Sequence, residues 1–321
     1  PFNIFGGSDL GLGAGVITQA EYDAMVNYVS YDGVQNQGFE SHDYWAEVSG
    51  PLFSLPAGDV YFAAGIEKRT GEYYDTPDAL ISSGGSSSNF REPTKGQTSV
   101  TEMFVEVNMP LLVDAPFAKL LELTVSGRKS DYEASGLVGG ISTSNDPGSP
   151  STFEIGLKWR PIDDLLVRAT MGETFRAPAV GDLYSGGGES FPSVQDPCNQ
   201  NNFGNQSATV QARCLAAGAP VGGALQPTTQ LRSLVGGAPD LLPEEGENYT
   251  VGLVYTPSYA EGLSVAVDFW SIELTDVIVT LGASTVLNRC YLDGSQQDEA
   301  FCALITRKGD GSIETVRTTS T

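Results

Sequence analysis

The sequence predicts an all-β protein: an antiparallel up-and-down transmembrane β-barrel segment of about eight long strands, an incomplete barrel with long extracellular loops. Three observations predict it. Apolar and polar residues alternate with a period of two over runs longer than soluble strands need. The connectors between those runs alternate short and long. Charged residues inside the runs keep to one parity, the side that successive strand residues share.

Residues 1–39 read as an extracellular loop with one short helix. Thr18 and Glu21 form a capping box, and Tyr22, Met25, Val26 and Val29 make a helical apolar stripe expected to pack on the loop base. Strands occupy 40–275. The first runs from about Ser41 to Leu55, with Tyr44, Ala46, Val48 and Gly50 on one parity, and turns at Pro56-Ala57-Gly58-Asp59. Next, Val60, Phe62, Ala64 and Ile66 oppose Tyr61, Gly65, Glu67 and Arg69. After a Gly/Ser-rich loop at 75–98, Met103, Val105 and Val107 oppose Glu102, Phe104, Glu106 and Asn108. A short connector at 110–118 leads to Leu121, Leu123 and Val125 against Glu122, Thr124, Ser126 and Arg128, then a loop at 133–150.

The hairpin Ser151–Arg176 is the clearest. Phe153, Ile155, Leu157 and Trp159 form one face, and after the turn at 161–164 Leu165, Val167, Ala169 and Met171 continue it. Its strands run about ten to twelve residues, whereas soluble strands average about 5–6. Ten residues at ~3.3 Å rise, tilted ~40°, cover roughly 25 Å, the apolar height of an outer-membrane barrel. A long insertion at 177–245 follows. Strands resume with Tyr249, Val251, Leu253 and Tyr255, turn at 257–262, and continue with Leu263, Val265, Val267 and Phe269. Residues 276–321 read as an extracellular loop and, near Ile313, the start of a further barrel strand. Short periplasmic turns against long extracellular loops produce this sorting, which a soluble sandwich has no reason to adopt.

Composition narrows the function. Lys plus Arg number 17 against 40 Asp plus Glu, a net charge of −23, so nucleic acid is excluded as a partner. No run of about 18 apolar residues marks a transmembrane helix, which says nothing against strands. No signal-peptide pattern precedes Pro1-Phe2-Asn3, so the chain reads as a piece of something longer. Four cysteines allow three pairings. Proximity favours Cys198 with Cys214 and Cys290 with Cys302, two loop disulfides of an oxidising compartment. With His42 the only histidine and no CxxC spacing, no metal site is expected. No nucleophile elbow occurs, and Asp163-Asp164 sit in a turn, so no catalytic residues and no cofactor are assigned and the chain is read as no enzyme.

Particular segments resemble the barrel of TonB-dependent outer-membrane receptors. They are Phe175-Arg176-Ala177-Pro178 after WRPIDDLLVRAT, Asp196-Pro197-Cys198, PEEGENYTVG at 243–252, GLSVAVDFW at 262–270 and Leu55-Pro56-Ala57-Gly58. The resemblance implies a place in the bacterial cell outer membrane, among lipid and lipopolysaccharide. It also implies energised uptake of a siderophore, haem, cobalamin or oligosaccharide, driven by the inner-membrane TonB complex acting on a plug. Plug, energy-coupling segment and C-terminal aromatic-ending strand are not found, so the expectation is a partial barrel. The competing expectation is a secreted all-β adhesion or carbohydrate-binding protein. Tyr184 and Phe191 in the largest loop and Trp270 on the wet parity are the candidate ligand contacts. Arg176 is expected to be structural, bonding loop carbonyls where strand becomes loop.

Overall fold

The computed structural model describes residues 19–292 and 298–319; Thr18, the expected helix cap, lies outside them. Helix α1 (Gln19–Val29) forms where the spacing places it, yet Val29 is 56% exposed, so the stripe is not packed down along its length.

One antiparallel sheet carries the chain. Its order is β1 (Gln35–Leu55), β2 (Gly58–Pro77), β3 (Thr94–Ala115), β4 (Ala118–Val138), β6 (Ser151–Ile162), β7 (Leu165–Arg176), β10 (Glu244–Tyr255) and β11 (Val265–Thr275), with β5 (Ile141–Gly148) beside the upper part of β4. Neighbours in space are neighbours in sequence, the up-and-down pattern expected. The eight long strands are found. Their lower turns are tight: 56–57 and 116–117 each join strands of one hairpin. Pro51, Pro110 and Pro161 sit at or within the register shifts of β1, β3 and β6, each just before a turn. Proline cannot donate to a ladder and is tolerated where a bulge leaves a group unpaired, and bulges collect at barrel rims.

Register turns the period-two pattern into continuous rows. Gly50, Phe62, Val107, Val125, Ile155, Met171, Tyr249 and Ser271 stand side by side across all eight strands. The adjacent row on the opposite face is Tyr61, Asn108, Thr124, Gly156, Thr170, Thr250 and Trp270. Among the described residues no second sheet covers the apolar rows: Met171 is 56%, Val251 49% and Phe269 61% exposed. Neither hydrophobic core of the molecule contains any of these residues.

Four boundaries differ from the sequence reading. β1 starts at Gln35 rather than near Ser41, and β2 and β3 run through most of what was expected to be the ends of the 75–98 loop. The 110–118 connector is strand down to the turn at 116–117. The 133–150 loop is a hairpin in which β4 continues to Val138 and pairs with β5 around Gly139-Gly140, both at positive φ as a tight two-residue turn demands. Beyond the apolar band both faces of these strands are polar, as in Lys129-Ser130-Asp131-Tyr132-Glu133, so no alternation announces them.

A fifth difference is larger. Residues 177–243, 276–292 and 298–319 do not form separate loops but one folded cap. β13 (Ile313–Thr319) is no barrel strand; it pairs parallel with β9 (Ser233–Gly236), in a small sheet ordered β12 (Ile305–Arg307), β13, β9, β8 (Gly188–Ser190). Beneath it Phe203, Val210, Leu231, Val286, Leu287, Tyr291 and Val316 are buried in a shared core. They come from α4 (Gln200–Phe203), α5 (Ala208–Ala216), α6 (Ala283–Leu287) and the π-helical turn Asn288–Leu292, as well as from β13 and the segment before β9. The expected disulfides, Cys198–Cys214 and Cys290–Cys302, both form; the second ties α7 (Glu299–Cys302) to that turn. Asp196, wholly buried, receives two hydrogen bonds from Arg307 at 2.7 and 2.8 Å, and Arg307 also donates to Gly311 O and Tyr291 Oη. Burial works to lower the Arg307 pKa, but the hydrogen bonds and charge of Asp196 outweigh it and leave the pKa raised.

Candidate functional site

Where the cap meets the polar face of the sheet lies a cleft of 1160 Å³, walled by β1–β4, the end of β7, and the underside of α3 (Val180–Tyr184) and β8. Below it, on the same face of the sheet and under the cleft residue Arg69, lies Glu102 of β3, 4% exposed. The ladder places Glu67 of β2 and Ser130 of β4 beside Glu102. Arg128 reaches it at 3.1 Å and Arg69 at 3.5 Å, and Ser130 Oγ donates to its other oxygen. Arg128 also lies 5.5 Å from the centre of the Phe104 ring. One buried carboxylate with two guanidinium partners and a hydroxyl is a satisfied group rather than a reactive one. The wet parity inferred for Glu67, Arg69, Glu102 and Lys158 therefore holds: Lys158 pairs with Glu122 across the strands at 3.0 Å.

Higher up, the walls are built by residues far apart in sequence. Asp75 accepts from Arg91 at 2.7 Å and from Gln35 Nε2 at 2.7 Å, closing the 78–93 connector onto β1 and β2. Glu92 Oε2 accepts the Gly187 backbone N–H at 3.0 Å, and Thr94 Oγ1 accepts that of Gly186 at 2.9 Å. The Gly186–Gly188 run is thus fixed by close approach: a Cβ on Gly186 would meet the Glu92 and Pro93 carbonyl oxygens. Aromatic rings complete the cleft. Phe39 leans over Gly71, and Tyr132 meets Phe175 edge to face with centroids 5.6 Å apart.

The Phe175-Arg176-Ala177-Pro178 motif lies on the cleft wall throughout. Arg176 holds Glu244, its register partner on β10, through two bonds of 2.6 and 2.8 Å, and Asp182 of α3 at 3.4 Å. Glu244 in turn accepts the Ile278 N–H at 2.8 Å. The arginine ties strand end to cap, and its partners are carboxylates rather than the loop carbonyls of the sequence reading. The bidentate fork suits Arg better than Lys.

The proposed ligand contacts do not converge. Tyr184 is fully buried, packed on Gly96 and Gly136 with Leu183, Val180 and Leu241 in a second small core that seats the cap on β3 and β4. It cannot meet a ligand there, because the two glycines leave a notch that its ring fills. Its hydroxyl makes no hydrogen bond among the described residues, and burial raises its pKa. Phe191 is 41% and Trp270 66% exposed, and both lie off the cleft. Asp75, Arg91, Glu92 and Tyr132 were missed, since only the folding of the 78–93 connector back onto the strands brings them together.

Comparison with known proteins adds the deciding observation: the family described as TonB dependent receptor-like, beta-barrel matches residues 3–308. The chain belongs to that family. TonB-dependent receptors are transporters and receptors, and no curated protein matches the sequence. Among solved structures, the alcaligin outer-membrane receptor FauA of Bordetella pertussis is 14% identical, with 90% of this chain and 35% of that one covered at a TM-score of 0.47. The haemophore receptor HasR of Serratia marcescens, in complex with HasA and heme, is also 14% identical, with 89% and 38% covered and a TM-score of 0.48. The siderophore receptor PirA of Acinetobacter baumannii is 12% identical, with 89% and 40% covered and a TM-score of 0.37. The chain thus spans 35% to 40% of the length of these structures.

Proposed function

We propose that this chain is part of the barrel of a receptor for energised uptake of a scarce nutrient across the bacterial outer membrane. The cargo classes are a siderophore, haem, cobalamin or an oligosaccharide. The observation that carries the reading is the uncovered apolar row running in register across eight strands, with an ion-paired face and a cleft behind it. Hydrocarbon chains would cover the first face and a water-filled lumen would wet the second. Lipopolysaccharide would surround the loop end, and the TonB complex would act through a plug. A secreted adhesion or carbohydrate-binding sandwich is the weaker reading, because it would bury the apolar rows between two sheets. The cleft would hold the cargo, and the exposed rings of Phe191 and Trp270 would offer it contacts outside the cleft.

Two measurements test this. Cells carrying the full receptor should place the chain in outer-membrane fractions, with heat-modifiable migration on detergent gels. Deleting the receptor should abolish growth on one limiting iron source or glycan and not on others; wild-type growth on every source would sink the uptake reading.

A further inference from the structure

We infer that the cleft selects an uncharged or cationic, ring-bearing cargo and turns polyanions away. The inference rests on the cleft being the cargo site of the receptor proposed above, and it names the chemistry of that cargo. The cleft displays three arginines, about half exposed, which at first suggest an anion site. Each is already answered. Arg91 is held by Asp75, Arg176 by Glu244 and Asp182, and Arg69 by Glu102 and Glu67. An anion would have to displace a carboxylate from a close or bidentate pair, losing as many charge-assisted bonds as it gained. The unanswered charge has the other sign. Glu92 meets only the Gly187 backbone N–H and forms no ion pair among the described residues. In a walled cleft a surplus of one sign is focused rather than dispersed, so it sorts solutes by charge before any contact forms. The rings of Phe39, Tyr132 and Phe175 supply flat apolar faces and edges for sugar rings, planar chelates or cationic groups.

The test reads the potential without needing the cargo. No free cysteine exists among the described residues, so a thiol placed on the cleft wall by Ser41→Cys reports alone, with Ser88→Cys as an off-cleft control. The full chain in detergent micelles is treated with a cationic and an anionic methanethiosulfonate at low salt. The cation-to-anion rate ratio at position 41 should exceed that at position 88 by about tenfold and shrink with added salt. Glu92→Gln keeps an acceptor for Gly187 and removes the charge, so it should bring the ratio severalfold closer to the control. Equal or reversed ratios, or a ratio that Glu92→Gln leaves unchanged, overturn the inference while leaving the receptor reading intact. A receptor deletion without an uptake phenotype would instead remove the receptor reading, whatever the thiol rates show.

Discussion

A Cβ on Gly136 would collide with the ring of Tyr184, and one on Gly96 would press on the same ring and on Val180. Gly136→Ala should therefore lift α3 off the sheet at an overpacking cost of about 1–3 kcal/mol, read as faster proteolysis of the cap with the strands intact. Tyr184→Phe loses a hydroxyl that makes no bond among the described residues, so it should be neutral or slightly stabilising. Asp78 shows a different sensitivity. Its carboxylate takes the N–H groups of Leu80 and Ile81, capping α2 (Ala79–Ser82), and that of Val34 across the connector. The Ile81 bond, joined by those of Val34 and Leu80, outweighs opposing desolvation and lowers its pKa. A depressed carboxylate pKa stabilises the fold above its unfolded value, and the contribution is lost as pH falls through the folded one. Protection of the Val34, Leu80 and Ile81 amides, relative to intrinsic exchange at each pH, should fall over that acidic window, and Asp78→Asn should abolish that fall.

At the scale of elements, alternation was readable wherever one face meets an apolar medium, as in β6, β7, β10 and β11. It vanished in the upper halves of β1–β4, where both faces are polar and only pairing with neighbours makes a strand. The cap was illegible for another reason: its core joins Leu231 to Val286 and Val316, and no local period links segments that distant. Arg176 stood out through its motif, whereas Asp75 and Arg91 are ordinary polar residues until the 78–93 connector folds back onto the end of β2. The disulfides close loops of the cap alone. Their reduction should loosen the cap by several kcal/mol in total, about 2–4 per bridge at most. The sheet should keep its far-ultraviolet β signal. The cap should respond as strongly to Asp196→Ala, about 3–5 kcal/mol, because Arg307 would stay buried without its carboxylate.

For the whole molecule, the height of the apolar band is marked from both sides. Toward the turns it ends in aromatic residues: Trp159, whose Nε1 donates to Phe117 O at 2.9 Å, and Tyr259, 80% exposed. Toward the cap it ends where Glu173, Glu247 and Glu273 stand opposite one another on β7, β10 and β11. Three carboxylates in a row repel one another and could not sit in hydrocarbon, so they fix the upper limit. Eight strands about 4.8 Å apart under a band about 25 Å tall make roughly 900 Å² of uncovered apolar surface, beyond what a water-soluble monomer carries. That area demands a covering, and neighbouring positions on one strand discriminate between coverings. Val125 faces out in the apolar row and Ser126 faces the polar side. If lipid covers the row, Val125→Arg should cost about 2–4 kcal/mol in folding into bilayers, while Ser126→Arg should cost far less because water wets it. If instead a second protein sheet covered the row, both faces would be protein or bulk water, and the penalty at Val125 would not change with bilayer thickness. Folding titrations in vesicles of two chain lengths measure the difference. A penalty that grows where a thicker bilayer draws Val125 further from the surface is the outcome this architecture requires.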